Sequence, residues 1–217
     1  MQIPVRTRRL AAGETIVHES DHTGGLSLVH EGLAHRFRIL PDGRRAILGY
    51  LLPGDFCDIR VLIMDQMDHS IGALAPSVIS VFSREAVLKL LDRFPRLVRP
   101  LWRSSAEEEA IMREWVVNVG QRSALERLAH LICELHARMS AAGLTKGGSF
   151  DLPVTQSEFA DSLGLSTVHV NRTLQELRRS GLLTLRGRQA VIPDIDRLRG
   201  AGMFSPTYLH RTAAKAG

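Results

Sequence analysis

Cysteine is nearly missing, with only Cys57 and Cys133 in 217 residues. Two distant thiols exclude a disulfide framework and a four-cysteine iron–sulfur centre, and they suit a reducing compartment. Long apolar runs are missing too. No stretch approaches the ~20 apolar residues of a membrane span, and the N-terminus lacks the apolar core of a signal peptide. A cytoplasmic location with no membrane partner is the expectation. The sequence has no His-x-His pair, no nucleophile–base pattern and no glycine-rich phosphate loop. An enzyme is therefore not expected. The alternative from another class is a cupin-like metal-dependent enzyme, or a β-roll protein that only binds a ligand. Excess charge is small, at +5, but unevenly placed. From Leu144 onward there are 10 Lys/Arg against 6 Asp/Glu, and before it 18 against 17. A basic C-terminal part is the footprint of a phosphate-binding surface.

What that part contains is a helix-turn-helix pattern between Thr155 and Ser180. Thr155-x-x-Glu158 is a capping box that opens a helix. Phe159, Ala160 and Leu163 form its apolar face. Gly164 can take the positive φ of a sharp turn, and Ser166 caps a second helix. That helix buries Val170, Leu174 and Leu177 and exposes Thr167, His169, Asn171, Arg172, Gln175, Arg178 and Arg179. Gly181–Leu185, Arg186-Gly187-Arg188 and Gln189–Ile192 then read as a β-hairpin with a basic tip, the wing of a winged helix. Such a second helix lies in the DNA major groove, its first residues on base edges. Thr167, Val168, His169 and Arg172 are the base-reading candidates. Thr155, Ser166, Asn171, Arg186 and Arg188 are the phosphate-holding ones.

The first ~93 residues read as short strands with Gly/Pro/Asp turns, over Glu14–Glu19, Leu26–His30, Leu33–Leu40, Arg45–Leu52, Ser70–Leu74 and Val78–Ser83. A jelly roll is the simplest arrangement. Ser83–Phe94 is an amphipathic helix that closes it. Leu97–Val119 reads as one long helix. Leu101, Glu108 and Trp115 recur every seven residues, interleaved with Ser104, Ile111 and Asn118, an a/d-like seam. A two-chain coiled coil with Leu101, Glu108, Ile111 and Trp115 in its interface is the expectation, and a helix packed only on its own domain is the alternative. Asn118-Val119-Gly120 should be a hinge, followed by a helix over Ser123–Met139, a loop over 141–148 and a short strand over Phe150–Val154. Asp194–Leu198 is a helical turn, the residues from Gly200 are weakly patterned, and Lys215–Gly217 should fray.

Leu28–Phe56 with its Pro53-Gly54-Asp55-Phe56, the long helix, and Leu165–Arg172 together resemble the Crp/Fnr family of bacterial transcription regulators. The resemblance spans nearly the whole chain. It implies an α+β fold in three parts: a β-roll sensor at 1–94, a dimerisation helix at 95–119 and a winged helix-turn-helix at 120–217. It also implies a homodimer on palindromic double-stranded DNA, possible effector gating, and RNA polymerase as a partner. Cyclic-nucleotide-binding members hold the ribose with Glu and the phosphate with an Arg-Ser pair. Those positions fall on Ile59 and on His69-Ser70, with Asp58 and Arg60 beside them. Ile59 accepts no hydrogen bond, and neutral His69 lacks the guanidinium fork. Cyclic AMP is therefore not expected, and no cofactor is assigned. Other members bind haem. His18, His22, His30, His35 and His69 are candidate ligands by type, and no spacing picks one out.

Overall fold

The computed structural model describes residues 4–22 and 24–210. It divides into two compact units, 1–106 and 107–217. In the first, turn residues cut the chain into β1 (Val5–Leu10), β2 (Thr15–Val17), β3 (Gly25–Glu31), β4 (Ala34–Ile39), β5 (Arg45–Leu51), β6 (Ser70–Ala73) and β7 (Ser77–Ser83). They pair antiparallel into a three-stranded sheet, β1-β7-β3, and a four-stranded sheet, β2-β6-β4-β5. In the first sheet Val29 stands opposite Ile79, and in the second Ala34 stands opposite Leu51. These four side chains join Leu10, Leu26, Ile71 and others in one buried core. Helix α1 (Arg84–Arg93) starts at Ser83, whose hydroxyl accepts from the Ala86 N–H, and adds Val87 to that core.

Two features of this unit were not expected. Strand β1 (VRTRRL) buries only Leu10 fully, because it pairs at a sheet edge and Arg6 and Arg9 face water. Strand β4 does not alternate: Ala34, His35, Arg36 and Phe37 are all buried. His35 turns to the Gly72 carbonyl (3.0 Å) and stacks on Phe37, whereas Arg36 turns to the carbonyls of Cys57 (2.8 Å) and Phe56 (3.2 Å). The register slips between Arg36 and Phe37, which is the mark of a bulge.

Helix α2 (Val98–Gln121) has Pro100 in its first turn, where the missing N–H costs nothing. It does not hinge at Gly120 as expected. The helix runs through Gly120, and the break comes at Arg122–Ser123. The amide of Asn118 donates to the Arg127 carbonyl (3.2 Å), and the Arg127 guanidinium donates to the Arg122 carbonyl (2.8 Å). Those bonds satisfy and fix the helix end, whereas an exposed helical glycine weakens it by only ~1 kcal/mol.

The expected seam also needs correction. Leu101 packs on the core of the first unit. Trp115 is buried in the second unit, where its indole donates to Glu134. Glu108 and Ile111 are half-buried. The exposed apolar side chains of α2 lie elsewhere, at Val98, Trp102, Met112, Val116, Val117 and Val119. Val98, Trp102, Met112, Val116 and Val119 fall on a second stripe of alternating four- and three-residue steps, completed by Ser105 and Glu109.

The second unit continues with α3 (Ala124–Ala141), opened by a full capping box between Ser123 and Glu126. Then follow β8 (Ser149–Asp151), α4 (Gln156–Leu163), α5 (Thr167–Arg179), β9 (Thr184–Arg186), β10 (Gln189–Val191) and α6 (Ile195–Ala201). The last three strands form a sheet in the order β8-β10-β9. Helix α3 is the spine, with Leu128, Ala129, Ile132 and Leu135 fully enclosed. Gly202 lies against it so closely that a Cβ would stand 2.6 Å from the His130 nitrogen. The weakly patterned tail is ordered beyond this point: Phe204 and Leu209 are buried, and Tyr208 reaches Glu134. Lys215–Gly217 lie outside the described residues. No helix among the described residues is long and apolar enough to cross a membrane.

Candidate nucleic-acid interface and effector pocket

Helix α4 begins at Thr155. Its hydroxyl accepts from the Glu158 N–H (3.2 Å) and donates to the Glu158 carboxylate (2.9 Å), which also receives the Thr155 N–H (2.6 Å). The helix ends at Gly164, with φ +63°, where an L side chain would be strained although there is room for a Cβ. Arg127 caps this end through the Leu163 carbonyl at 3.1 Å. Ser166 opens α5 by accepting the His169 N–H (3.2 Å). Thr155 and Ser166, read from sequence as phosphate ligands, are thus both engaged as helix caps while remaining exposed.

Val170 and Leu177 are fully buried beneath α5. Thr173 is buried with them and donates to the His169 carbonyl (2.9 Å), whereas Leu174, expected in the core, is only half-buried. The opposite face carries Thr167, Val168, His169 and Arg172, all exposed. Val168 is 69% exposed, an apolar side chain held in water at the start of a helix. Such a group suits a thymine methyl. Asn171 is half-buried and does not stand free. It donates to Gln156 (3.1 Å) and accepts from Gln175 (2.9 Å), which ties the start of α4 to the middle of α5. Sequence reading gave Gln156 and Gln175 no role. Their i,i+4 and cross-helix spacing to Asn171 was the available signal.

Arg172, Arg178, Arg179 and Arg186 are exposed, and none has an ion-pair partner among the described residues. Arg188 differs: it is paired with Asp151 at 3.2 Å. The hairpin β9–β10 turns at Gly187-Arg188, with Arg186 opposite Gln189. Helix α5 and the hairpin therefore carry exposed guanidinium groups without an ion-pair partner among the described residues, suited to phosphate oxygens.

In the first unit two of the effector candidates, Asp58 and Arg60, line a small cavity of about 130 Å³. Asp58 is buried, and its carboxylate accepts from the Arg60 N–H (2.9 Å), Nε (3.2 Å) and Nη2 (3.2 Å). Arg60 also makes a two-pronged bridge to Asp68, at 3.1 Å on each prong. His69 is buried, and its Nδ1 lies 2.6 Å from Asp68. Burial holds His69 below the ordinary imidazole value, against the pull of Asp68. Asp68 is exposed, and against some desolvation its bonds to His69 and Arg60 hold it below the usual carboxylate range. Asp58, Asp68 and His69 each bring a ligand atom within 4.8 Å of the others. Arg60 bonds both carboxylates but offsets only one of the two negative charges, so the cluster is tied together yet stays acidic. Ser70 is committed as well, accepting the Glu19 N–H at 2.9 Å.

A cavity of about 280 Å³ opens between the two sheets, and of the effector candidates only Asp58 lines it. The five histidines weighed as haem ligands do not converge. His35 bonds Gly72, His30 approaches Ser80 (2.7 Å), His69 faces Asp68, His18 is exposed, and His22 is exposed at the cavity rim.

Comparison with known proteins agrees with this geometry. The cyclic nucleotide-binding domain model matches residues 7–94, and the Crp-like helix-turn-helix domain model matches residues 126–201. The chain is 31% identical over 182 residues to the nitrogen fixation regulation protein FixK of Bradyrhizobium diazoefficiens, covering 83% of this chain and 75% of that protein. It is 29% identical over 195 residues to the transcriptional activator protein FnrL of Cereibacter sphaeroides, covering 88% and 78%. The solved structure of FixK2 from Bradyrhizobium japonicum matches with a TM-score of 0.84 at 25% identity, over 92% of this chain and 98% of that one.

Proposed function

The chain belongs to the Crp/Fnr family of transcription regulators, and we propose that it acts as a homodimer that reads a palindromic operator under control of a β-roll ligand. The observation that carries the DNA reading is α5. It is capped at Ser166, anchored by Val170 and Leu177, and offers Thr167, Val168, His169 and Arg172 outward. Arg172 pairs bidentately with guanine, and Val168 covers a thymine methyl. Arg178, Arg179 and Arg186 hold phosphates, joined by Arg188 once it leaves Asp151. Thr155 and Ser166 contribute the N-terminal ends of their helices to phosphate rather than free hydroxyls.

The dimer reading is supported by the second stripe of α2. Trp102 is 75% exposed and Val116 71%, which is costly for a lone helix and ordinary for half of a coiled coil. Its occupant is a second copy of the same helix. Of the named relatives, FnrL is a transcriptional activator, and this chain is proposed to activate as well, with RNA polymerase as its partner. Cyclic AMP is not its effector, because the phosphate-holding positions are His69, bound to Asp68, and Ser70, bound to Glu19. Light scattering on the protein with and without a selected DNA duplex tests the reading. Two chains per duplex are expected, and one chain per duplex contradicts it.

A further inference from the structure

We propose that the cavity between the sheets takes a small, uncharged, largely apolar ligand that makes one hydrogen bond with Ser27. This rests on the gated-regulator reading for its consequence at DNA, but not for the binding itself. Ile16, Val17, Val61, Met67, Ile71 and Val81 supply apolar wall. Ser27 is nine-tenths buried, lines the same space, and its hydroxyl has no hydrogen-bond partner among the described residues. A buried hydroxyl facing an apolar cavity without a partner marks where a ligand's polar group belongs.

The charges on the lining argue against an anion. Arg8 is already paired with Glu14 at 3.2 Å. Asp58 is buried, and Arg60 approaches it from outside the cavity lining. A phosphate or carboxylate would therefore meet a buried carboxylate and no available guanidinium. His22 stands at the mouth, exposed to water. Size sets the rest: an apolar cavity of roughly 150 Å³ holds benzene, so the 280 Å³ here suits a two-ring aromatic or a branched aliphatic of similar bulk.

Three probes of one shape test this on the full chain: indole, 1-methylindole and indole-3-carboxylate, followed by thermal shift and ligand-observed NMR. Indole and 1-methylindole should bind, and the carboxylate should bind at least ~10-fold more weakly. Ser27→Ala should weaken indole by roughly three- to tenfold and leave 1-methylindole unchanged. Met67→Trp, or the milder Val61→Phe, should fill the space and abolish binding of both neutral probes. Absence of binding by either neutral probe overturns the proposal. So does equal binding of the carboxylate, or binding that survives both filling substitutions. Operator affinity measured with and without indole separates the two readings. Binding that leaves DNA affinity unchanged upholds the site and removes the gating. Absent binding beside normal DNA recognition removes the site and leaves the regulator.

Discussion

The indole N–H of Trp115 on α2 is shared between the two carboxylate oxygens of Glu134 on α3, at 3.2 and 3.1 Å. Tyr208 donates to the same carboxylate at 2.9 Å, and Arg138 lies 3.4 Å from it. Glu134 is fully enclosed, and burial pushes its carboxyl up despite these donors. Each donor therefore compensates a desolvated acid. Helix α2, helix α3 and the C-terminal turn are locked around one group.

Trp115→Phe keeps the ring volume close and removes the N–H. It should destabilise by about 1–3 kcal/mol in urea unfolding, with the mass by light scattering unchanged. An unchanged midpoint would show that Glu134 needs no donor from α2. A change in mass would return Trp115 to an interface between chains.

Val116→Asp should do the opposite. A charge on the exposed stripe should separate the chains while far-UV circular dichroism shows an intact fold, because Val116 is 71% exposed in its own chain. Operator binding should fall with the dimer. A well-folded dimer of Val116→Asp places the interface elsewhere.

That contrast shows what the sequence could and could not convey. Both stripes of α2 have heptad spacing, and spacing alone cannot say which one a chain keeps for itself. The deciding facts are tertiary: Leu101 has the roll core beneath it, and Trp115 has Glu134. Gly120 misled for the same reason, since Asn118 and Arg127 secure the helix end from outside it. The helix-turn-helix was legible because its determinants are local: the Thr155 cap, the turn at Gly164, and Val170 one helical step past the Ser166 cap. Strand β1 was not, because an edge strand of arginines carries no apolar alternation. The cavity was not either, since its walls come from β1, β2, β3, β6 and β7, far apart in the chain.

Arg186 and Arg188 should separate in salt titrations. Arg186→Ala removes an unpaired cation and should lower the slope of log K against log salt by about 0.9. Arg188→Ala should lower it less, because Asp151 already neutralises that guanidinium in the free protein. Equal effects would mean that the Asp151 bridge does not persist in solution.

Acid should weaken the fold through its buried histidines, His130 and His35 foremost. His130 is held to about 4 by burial and by Arg122, against Glu114 and the Gly202 carbonyl. His35 is held to about 4 by burial and by Arg45. The unfolded chain binds these protons first, so stability is full above pH ~6.5 and falls as pH drops towards 4. Glu134 runs the other way, its contribution being lost as pH rises through its raised folded value. Urea unfolding at stepped pH should therefore give a falling limb between 6.5 and 4 that His130→Gln flattens. A limb of unchanged slope in that variant would contradict the assignment.

Selection of bound duplexes from a random DNA pool reaches the central claim most directly. The wild-type protein should enrich a two-fold symmetric motif with half-site centres about one DNA turn apart, ~34 Å. Arg172→Ala should bind that motif ~1–3 kcal/mol more weakly and lose its preference at one base pair in each half-site. An asymmetric motif, or a motif that Arg172→Ala leaves intact, would contradict α5 as the reading helix of a dimer.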